Sequence, residues 1–403
     1  MSLTATADRI SSLDLIRGIA VLGILAINIA GFAGPSAGTD TPWLPRPATP
    51  ADEAAFALAF VLFEGKMRAL FSMLFGASML LFVERAEAAR RDGDILQLRR
   101  LAWLGLFGLL HYVLLWWGDI LFVYAVSGFF ALTLRRLPDR VLLALALAIF
   151  MLWHGWGMAG SLEEITGRVG SATTRQAMAA TIHHMQVETA QARLGFTAQI
   201  ADKLATAPGW PVIMAAYTIG ETLPLMLLGM VLLRTGFFSG AWPRRRLIVV
   251  AAGGLTLGSA WTLVLLDWAW TRHFPATVMP DILAYWTAPA HLLMASGYAA
   301  AIMLAAPRLS ATRLGERLRS AGRMAFSNYL GTTIVMTAIF YGWGLGFYGR
   351  IGPALQPLFV LGGWALMLGW SQPWLAHFRQ GPLEWAWRSL TELHPMPMRR
   401  HGG

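Results

Sequence analysis

Ionisable and amide side chains lie inside several long apolar runs of this sequence, where burying them is costly and each becomes a candidate for function. Asp14 and Arg17 are three residues apart in the first run. Asn28 follows Arg17 by eleven residues, which places it on the same helix face roughly 16 Å away. This polar stripe predicts a lined cavity with Asp14 and Arg17 at its mouth. The alternative is an internal salt bridge together with an interhelical amide.

The second apolar run carries three charges near its middle, Glu64, Lys66 and Arg68. Glu64 and Arg68 are four residues apart, so a continuous helix would let them neutralise each other. Lys66 then requires another partner, either a carboxylate on a different helix or an anionic ligand. Two net positive groups in a dry site would suit a phosphate, carboxylate or thioester substrate. A structural charge network is the alternative.

His111 is the side chain best suited to general-base chemistry, because a neutral imidazole accepts a proton near pH 7. It lies seven residues before Gly118-Asp119, a tight turn between two apolar runs, and therefore roughly 10 Å from that turn along a helix. Asp119 could orient His111 only if the hairpin bends, or it could bind a hydroxyl or amine substrate. The alternative is that His111 is a hydrogen-bonded packing residue.

Three further polar residues are candidates to line a cavity, namely Glu221, His291 and Asn328. Pro224 follows Glu221 and Pro289 precedes His291, and proline loosens a membrane helix so that backbone carbonyls can face a cavity. Asn328 also fits a role in helix packing, where an amide bonds across two helices.

Several classes of chemistry have no support in the sequence. The chain has no cysteine, which excludes disulfides, thiolate metal sites and a cysteine nucleophile. The His183-His184 pair lacks a third ligand at a useful spacing, so no metal site is predicted. Phosphate-loop, nucleophile-elbow and H-E-x-x-H motifs are absent, so no hydrolase of a soluble type is indicated.

The elements that must position these residues are membrane helices. Apolar residues make up 56% of the 403 positions, charged residues 13%, and the mean hydropathy is +0.53, whereas a soluble domain carries about 25% charged residues. Continuous apolar runs favour helices over the alternating strands of a barrel. We predict an all-α polytopic membrane protein forming one domain over 1–403, with about ten transmembrane helices (nine to eleven). The predicted spans are 13–33, 54–83, 101–117, 119–134, 141–159, 210–233, 247–270, 283–305, 324–342 and 354–375.

The orientation of these spans follows from the distribution of lysine and arginine. Of the 32 such residues, 22, including Arg9, lie in one alternating set of loops and tails, and seven lie in the other set. Positive loops stay in the cytoplasm, so both termini are predicted to be cytoplasmic. The net charge of +10 then belongs to loops beside anionic membrane lipid, and nucleic-acid binding is not expected.

One amphipathic segment is not a span. Residues 172–206, within an extracytoplasmic insertion at 160–208, alternate apolar side chains such as Met178 and Met185 with polar ones such as His184 and Glu188. This pattern predicts an outer helix that lies on the membrane or caps a cavity.

Five separated motifs occur in one order along the chain. They are Leu13-Asp14…Arg17-Gly18 with Asn28, Phe71-Ser72-Met73-Leu74-Phe75-Gly76, His111 with Gly118-Asp119, Gly322-Arg323-Met324-Ala325-Phe326-Ser327-Asn328-Tyr329, and Gly381-Pro382-Leu383-Glu384-Trp385. In these motifs, and over nearly its whole length, the chain resembles the DUF418 group of YeiB-like membrane proteins.

The opening motif is also similar to that of the transmembrane acyltransferase superfamily, which includes the acyltransferase-3 enzymes and the lysosomal heparan glucosaminide acetyltransferase. This resemblance implies transfer of an acyl group, such as acetyl, from cytoplasmic acyl-CoA to an extracytoplasmic hydroxyl or amine, for example on a sugar, without a metal. Arg17, Asp14, Lys66 and Arg68 would bind the acyl-CoA. It further implies a multi-pass protein of a bacterial inner membrane, and a homodimer.

The catalytic histidine of those two branches has no counterpart here. Asn28 stands where one branch carries it, and the stretch around Thr39-Asp40, which matches the other, contains none. His111 would then replace it as the base, supported by Asp119 and by the Asn28 amide. We therefore predict a membrane acyltransferase. The alternatives are a transporter or permease for a small anionic or lipid-linked molecule, and a non-catalytic membrane protein.

Overall fold

The computed structural model describes residues 3–168 and 171–400, with side chains described over 11–168 and 172–400. Residues 169–170 of the predicted insertion and the side chain of Arg9, which the charge count includes, lie outside the described part. Regular structure in the described part is helical. Its β structure is limited to a single bridge between Phe378 and Arg399.

Eighteen α-helices follow one another along the described chain, with a π-helix at Ile282–Trp286 between the thirteenth and fourteenth. They are α1 (Leu3–Ala33), α2 (Ala37–Asp40), α3 (Pro50–Leu62), α4 (Lys66–Ala88), α5 (Gly93–Leu114), α6 (Leu121–Leu134), α7 (Asp139–Gly160), α8 (Leu162–Ile165), α9 (Ser171–Ala192), α10 (Phe196–Thr206), α11 (Trp210–Arg234), α12 (Arg244–Trp270), α13 (Met279–Asp281), α14 (Ala288–Leu309), α15 (Arg313–Arg323), α16 (Ala325–Phe340), α17 (Gln356–His377) and α18 (Pro382–Glu392).

Six segments of the described chain are long and apolar enough to cross a membrane. They are Ser11–Ala33, Pro50–Ala88, Asp139–Gly160, Trp210–Arg234, Arg244–Trp270 and Ala288–Leu309. The predicted spans at 119–134 and 324–342 correspond to the shorter apolar helices α6 and α16. The chain is therefore all-helical with several membrane-type helices, and the number of ten spans stays a prediction.

The predicted span at 54–83 is two helices. Thr49 and Asp52 form a capping box at the start of α3, and the chain leaves the helix after Leu62. Gly65 adopts a positive φ of 69°, and α4 begins at the next residue. A Cβ at this position would overlap the ring of His291, so glycine is required here both by conformation and by space.

The predicted outer helix at 172–206 is also broken, into α9 and α10. Glu188 of α9 accepts hydrogen bonds from the backbone and hydroxyl of Ser36, at 2.9 and 3.0 Å. Lys203 of α10 donates to the carbonyls of Tyr112 and Leu115 at the end of α5, at 3.1 and 3.2 Å. Burial lowers the pKa of Lys203 to about 8. Helix α9 thus binds the loop that follows α1, and helix α10 binds the end of α5.

The helices that carry the candidate residues form the centre of the bundle. Helix α4 packs against α1, α5, α11 and α14, while α1 also packs against α15, α16 and α17. Helices α1 and α15 approach closely where each carries a glycine. A Cβ on Gly18 would overlap the Leu318 carbonyl, and one on Gly322 would overlap the Asp14 carbonyl. Two motifs that are 300 residues apart in the sequence therefore meet in the fold.

Candidate functional site

Two cavities lie within the helical core, and about half of the candidate residues line one or the other. One, of about 350 Å³, is lined by four carboxylates, Asp40, Glu64, Asp119 and Glu221; we call it the acidic cavity. The other, of about 550 Å³, is lined by six arginines, Arg17, Arg85, Arg91, Arg100, Arg323 and Arg388; we call it the arginine cavity. Ile24 and Ile120 line both, so the two cavities meet at this pair of aliphatic side chains.

The arginine cavity lies at the end of the bundle where α1 and α15 approach. Arg17 is bonded to Asp14 at 2.8 Å and donates to the hydroxyl of Ser78, also at 2.8 Å. The predicted ion pair of the first helix is thus present. Arg17 lines the cavity, and Asp14, which does not, bonds to the Arg17 guanidinium. With six arginines against two lining carboxylates, Glu384 and Glu392, the cavity suits an anion.

Helix α18 forms one wall of the arginine cavity. Glu384 accepts hydrogen bonds from the backbone amides of Phe326 and Ser327, at 2.8 and 3.1 Å. A carboxylate at this place satisfies the free N–H groups at the start of α16 and the positive end of its dipole. Burial nevertheless raises the pKa of Glu384. Through this contact the motif at 381–385 packs against the motif at 322–329.

Two further contacts tie α18 to the rest of the cavity. The guanidinium of Arg100 lies between the rings of Phe82 and Trp387, at 4.1 and 4.4 Å from their centroids. Arg91 pairs with Glu392, and this arginine holds the pKa of Glu392 below its ordinary value. These contacts hold the guanidinium groups of Arg100 and Arg91 at the cavity wall.

The acidic cavity lies at the other end of α1. Asn28 lines it and is half-buried, with no hydrogen-bond partner for its amide among the described side chains and backbone. Asp40 accepts from the hydroxyl of Thr39 at 3.1 Å, and burial raises the pKa of Asp40 to about 7, with Glu64 and Glu188 adding to the rise. The walls also carry aromatic rings from Trp116, Trp117, Trp153, Tyr217 and Tyr285.

The predicted pair between Glu64 and Arg68 is wrong. Glu64 lies in the break between α3 and α4, and a spacing of four residues brings side chains together only in a continuous helix. Arg68 is bonded instead to Glu221 of α11 at 2.7 Å. The second oxygen of Glu221 lies 3.1 Å from Nδ1 of His291. Arg68, Glu221 and His291 thus form one chain of contacts, and Arg68 and Glu221 line the acidic cavity.

Lys66 does not meet a carboxylate on another helix, as was one expectation. Its ammonium donates to the carbonyl of Phe60 at 2.6 Å and lies 5.4 Å from the centroid of the Phe60 ring. Lys66 is fully buried and is part of neither cavity lining. The carbonyls at the end of α3 have no helical partner, so the break in the span supplies the acceptor that the sequence could not show.

His111 and Asp119 are in direct contact, contrary to their expected separation. Nδ1 of His111 lies 2.9 Å from Asp119, because α5 ends at Leu114 and the chain folds back before α6. The other oxygen of Asp119 accepts from the Phe122 amide at 2.8 Å. Nε2 of His111 lies 3.2 Å from the Thr333 hydroxyl. Both imidazole nitrogens are therefore occupied, and Asp119, not His111, lines the acidic cavity.

The last two sequence candidates lie outside both cavity linings. His291 packs against Gly65 and is buried behind Glu221. Asn328 donates to the Ala321 carbonyl and to Ser371, each at 3.1 Å, and accepts from Trp370 at 2.7 Å. The amide of Asn328 thus joins α15, α16 and α17, which is the helix-packing role given above as its alternative.

His154 is a cavity residue that was not among the candidates from the sequence. This residue of α7 lines the acidic cavity with only 3% of its surface exposed. Its neighbours Trp153 and Trp156 indicate only a membrane boundary, and no charged residue in the same run marks it as part of a polar stripe. A lone histidine in an apolar run was the available signal.

Two bacterial relatives match nearly the whole chain, and a family model matches its C-terminal part. The family described as "Protein of unknown function (DUF418)" matches residues 232–394. The chain is 30% identical to the uncharacterized protein YxaH of Bacillus subtilis (strain 168), over 98% of this chain and 97% of that protein. It is also 30% identical to the uncharacterized protein YeiB of Escherichia coli (strain K12), over 95% and 96%. No solved structure matches the chain significantly. The protein belongs to the DUF418 family.

Proposed function

We propose that this protein is a membrane acyltransferase, in which acyl-CoA binds in the arginine cavity and a hydroxyl- or amine-bearing acceptor binds in the acidic cavity. The observation that carries the proposal is the junction of two cavities of opposite charge at Ile24 and Ile120. A group-transfer enzyme that takes its donor from one side and its acceptor from the other requires two such sites with a common point.

The donor site is supported by its charge. CoA carries several phosphate charges, and arginine is the side chain that binds phosphate in two-pronged hydrogen bonds. Arg17 and Arg323 come from the two helices that approach at Gly18 and Gly322, and Arg388 comes from α18. Three distant parts of the chain thus supply cations to one cavity.

The proposal includes an orientation. The loops richest in arginine, at 85–100 and 307–323, adjoin the arginine cavity, whereas the poorly charged loops at 34–49 and 115–120 adjoin the acidic cavity. Positive loops stay in the cytoplasm. The arginine cavity then faces the cytoplasm of a bacterial inner membrane, where acyl-CoA is made, and the acidic cavity faces the outside.

The acceptor side supplies groups for the transfer step. Asn28 presents an unpaired amide that can donate to a developing oxyanion. Asp119 is oriented by His111 and can accept a hydrogen bond from the acceptor. For His111 itself to act as a base, its contact with Thr333 would have to open.

The first experiment measures binding of acetyl-CoA, longer acyl-CoAs and free CoA to the full-length protein in detergent. We expect saturable binding that Arg17→Ala and Arg388→Ala each weaken at least tenfold. The matched control is Arg313→Ala, because Arg313 is exposed and lines neither cavity.

Two results would count against the proposal. One is a folded, monodisperse protein that binds no CoA species. The other is an equal loss of binding in the Arg313→Ala control, which would indicate general attraction to basic surfaces. Either would direct the next assays to transport of a small anion.

A further inference from the structure

His154 differs from the other buried histidines of the described core in what its ring contacts. Neither of its two nitrogens has a hydrogen-bond partner, and both are buried. The backbone of Ala284 lies near the ring, but without a hydrogen bond of ordinary geometry. The ring packs against Phe150, with centroids 4.4 Å apart, and near Tyr285 at 6.3 Å.

The contrast with His111 and His291 is direct. Each of those rings has a nitrogen within 3.1 Å of a carboxylate, from Asp119 and Glu221 respectively. Burying a polar group without a partner costs free energy, so such groups in native proteins call for an explanation. His154 lines the acidic cavity, with 3% of its surface exposed and both nitrogens buried, so a small movement of the ring would bring a nitrogen to whatever the cavity holds.

We infer that His154 is the group that contacts the nucleophilic hydroxyl or amine of the acceptor and takes its proton. This inference rests on the proposed acyltransferase function and assigns the base within it. An imidazole with a free nitrogen can accept a proton near neutral pH. His111 has no free nitrogen, and no other histidine in the described part of the chain lines either cavity.

The transfer step balances with this base. The acceptor oxygen or nitrogen forms a bond to the acyl carbon, and its proton moves to His154. The carbon–sulfur bond of the thioester breaks, and its electron pair leaves on the CoA sulfur. The thiolate takes a proton from water on the donor side, and His154 releases its proton to water on the acceptor side.

The surroundings of His154 fit an acceptor that donates hydrogen bonds. The charged groups facing the cavity are Glu221 and Arg68, which neutralise each other at 2.7 Å, and the carboxyls of Asp40, Glu64 and Asp119. Carboxylates accept hydrogen bonds from hydroxyl and amine groups. Base, acceptor-binding carboxyls and the Asn28 amide thus line one space.

The test measures release of CoA thiol from acetyl-CoA by the full-length protein in detergent, with glucosamine or water as the acceptor. Because the chain has no cysteine, a thiol reagent reports the product CoA alone. Acetyl-CoA affinity is measured on the same samples. The variants are His154→Gln, which keeps a polar side chain of similar size, and His154→Ala. The matched control is His183→Gln on the exposed face of α9.

We expect His154→Gln to lower thiol release at least 100-fold, the scale of general-base catalysis, while its affinity for acetyl-CoA stays within twofold. Added imidazole should restore part of the rate to His154→Ala and none to wild type. His183→Gln should match wild type.

Thiol release by His154→Gln within threefold of wild type would overturn the assignment of the base and leave the acyltransferase proposal standing. A parallel loss of acetyl-CoA binding would also overturn it, because His154 would then be structural. A wild-type protein that neither binds nor cleaves acetyl-CoA would overturn the proposed function, and this inference with it.

Discussion

Two groups of charged side chains in this core are distinguished by their surroundings, those that bond to a protein group away from both cavities and those that face the acidic cavity. Both lysines of the chain belong to the first group. Lys66 donates to a carbonyl at the end of α3, and Lys203 to carbonyls at the end of α5. The compact ammonium has three donors and complements the negative end of a helix. Asp40 and Glu64 belong to the second group, since they face the acidic cavity.

Asp40 gives the protein a pH dependence near neutrality. Burial, with Glu64 and Glu188 nearby, raises the pKa of Asp40 from 3.8 to about 7. A carboxyl whose folded pKa is raised favours folding in its protonated form, so the stability it contributes is lost as the pH rises from about 4 through about 7. The variant Asp40→Asn stays neutral at every pH. We expect its melting temperature to exceed that of wild type by a margin that grows between pH 4.5 and pH 7.5.

This expectation is checked by thermal unfolding in detergent across that pH range. Glu163→Gln is the control, since Glu163 is exposed on α8, and its difference from wild type should show no such growth. A margin for Asp40→Asn that is constant with pH would show that Asp40 ionises as an ordinary carboxyl.

At the residue scale, spacing along the sequence predicted a pair correctly only where the helix is continuous, and it did not predict contacts between helices. The Asp14–Arg17 pair follows from a spacing of three and is present. The partner of Arg68 is Glu221, 153 residues away, and no local spacing predicts it. His154 was missed for the same reason. It is a candidate only because it shares a cavity with carboxylates from four other parts of the chain.

At the scale of elements, the structure is organised by close helix approaches and by breaks within apolar runs. Gly18 and Gly322 bring the first motif of the chain against a late one. The break at Gly65 turns one predicted span into α3 and α4. The sequence predicted most helix positions, because long apolar runs in a membrane must be helical. The length of the run at 54–83 allowed for a break, but the sequence did not locate it, because hydropathy is the same on both sides of it.

Gly322→Ala should lower the stability of the protein. The added Cβ overlaps the Asp14 carbonyl, and overpacking of this kind costs about 1–3 kcal/mol. Gly331→Ala is the control, since a Cβ there meets open space and alanine favours helix. We expect a fall in melting temperature and in the yield of monodisperse protein for Gly322→Ala only. Equal behaviour of the two variants would contradict the tight approach of α1 and α15.

At the scale of the whole molecule, the two cavities differ in the charge of their linings. Arginines line the cavity at the end where α1 begins and α18 packs, and four carboxylates line the cavity at the end where α1 finishes. The counts of lysine and arginine by loop predicted which ends of the helices are rich in arginine, but they said nothing of the carboxylates. They could not show that each end also holds a cavity, because a cavity is a property of packing among many helices.

The absence of cysteine allows a direct test of orientation, since each introduced cysteine is unique. Ala88→Cys ends α4 beside the basic loop at 89–92, and Ala179→Cys lies in α9; both positions are exposed. A membrane-impermeant maleimide applied to intact spheroplasts should label Ala179→Cys and spare Ala88→Cys until the cells are lysed. Labelling of Ala88→Cys in intact cells would reverse the proposed orientation.

The meeting point of the cavities has an electrical consequence. Ile24 and Ile120 offer no hydrogen-bond donor or acceptor from their side chains to a small ion that reaches them from either end. An ion passing between them would lose its hydration without gaining a ligand, at a cost of several kcal/mol. We therefore expect this pair to act as an apolar barrier to ions between the two cavities, and a membrane that holds the protein to keep its proton and sodium gradients.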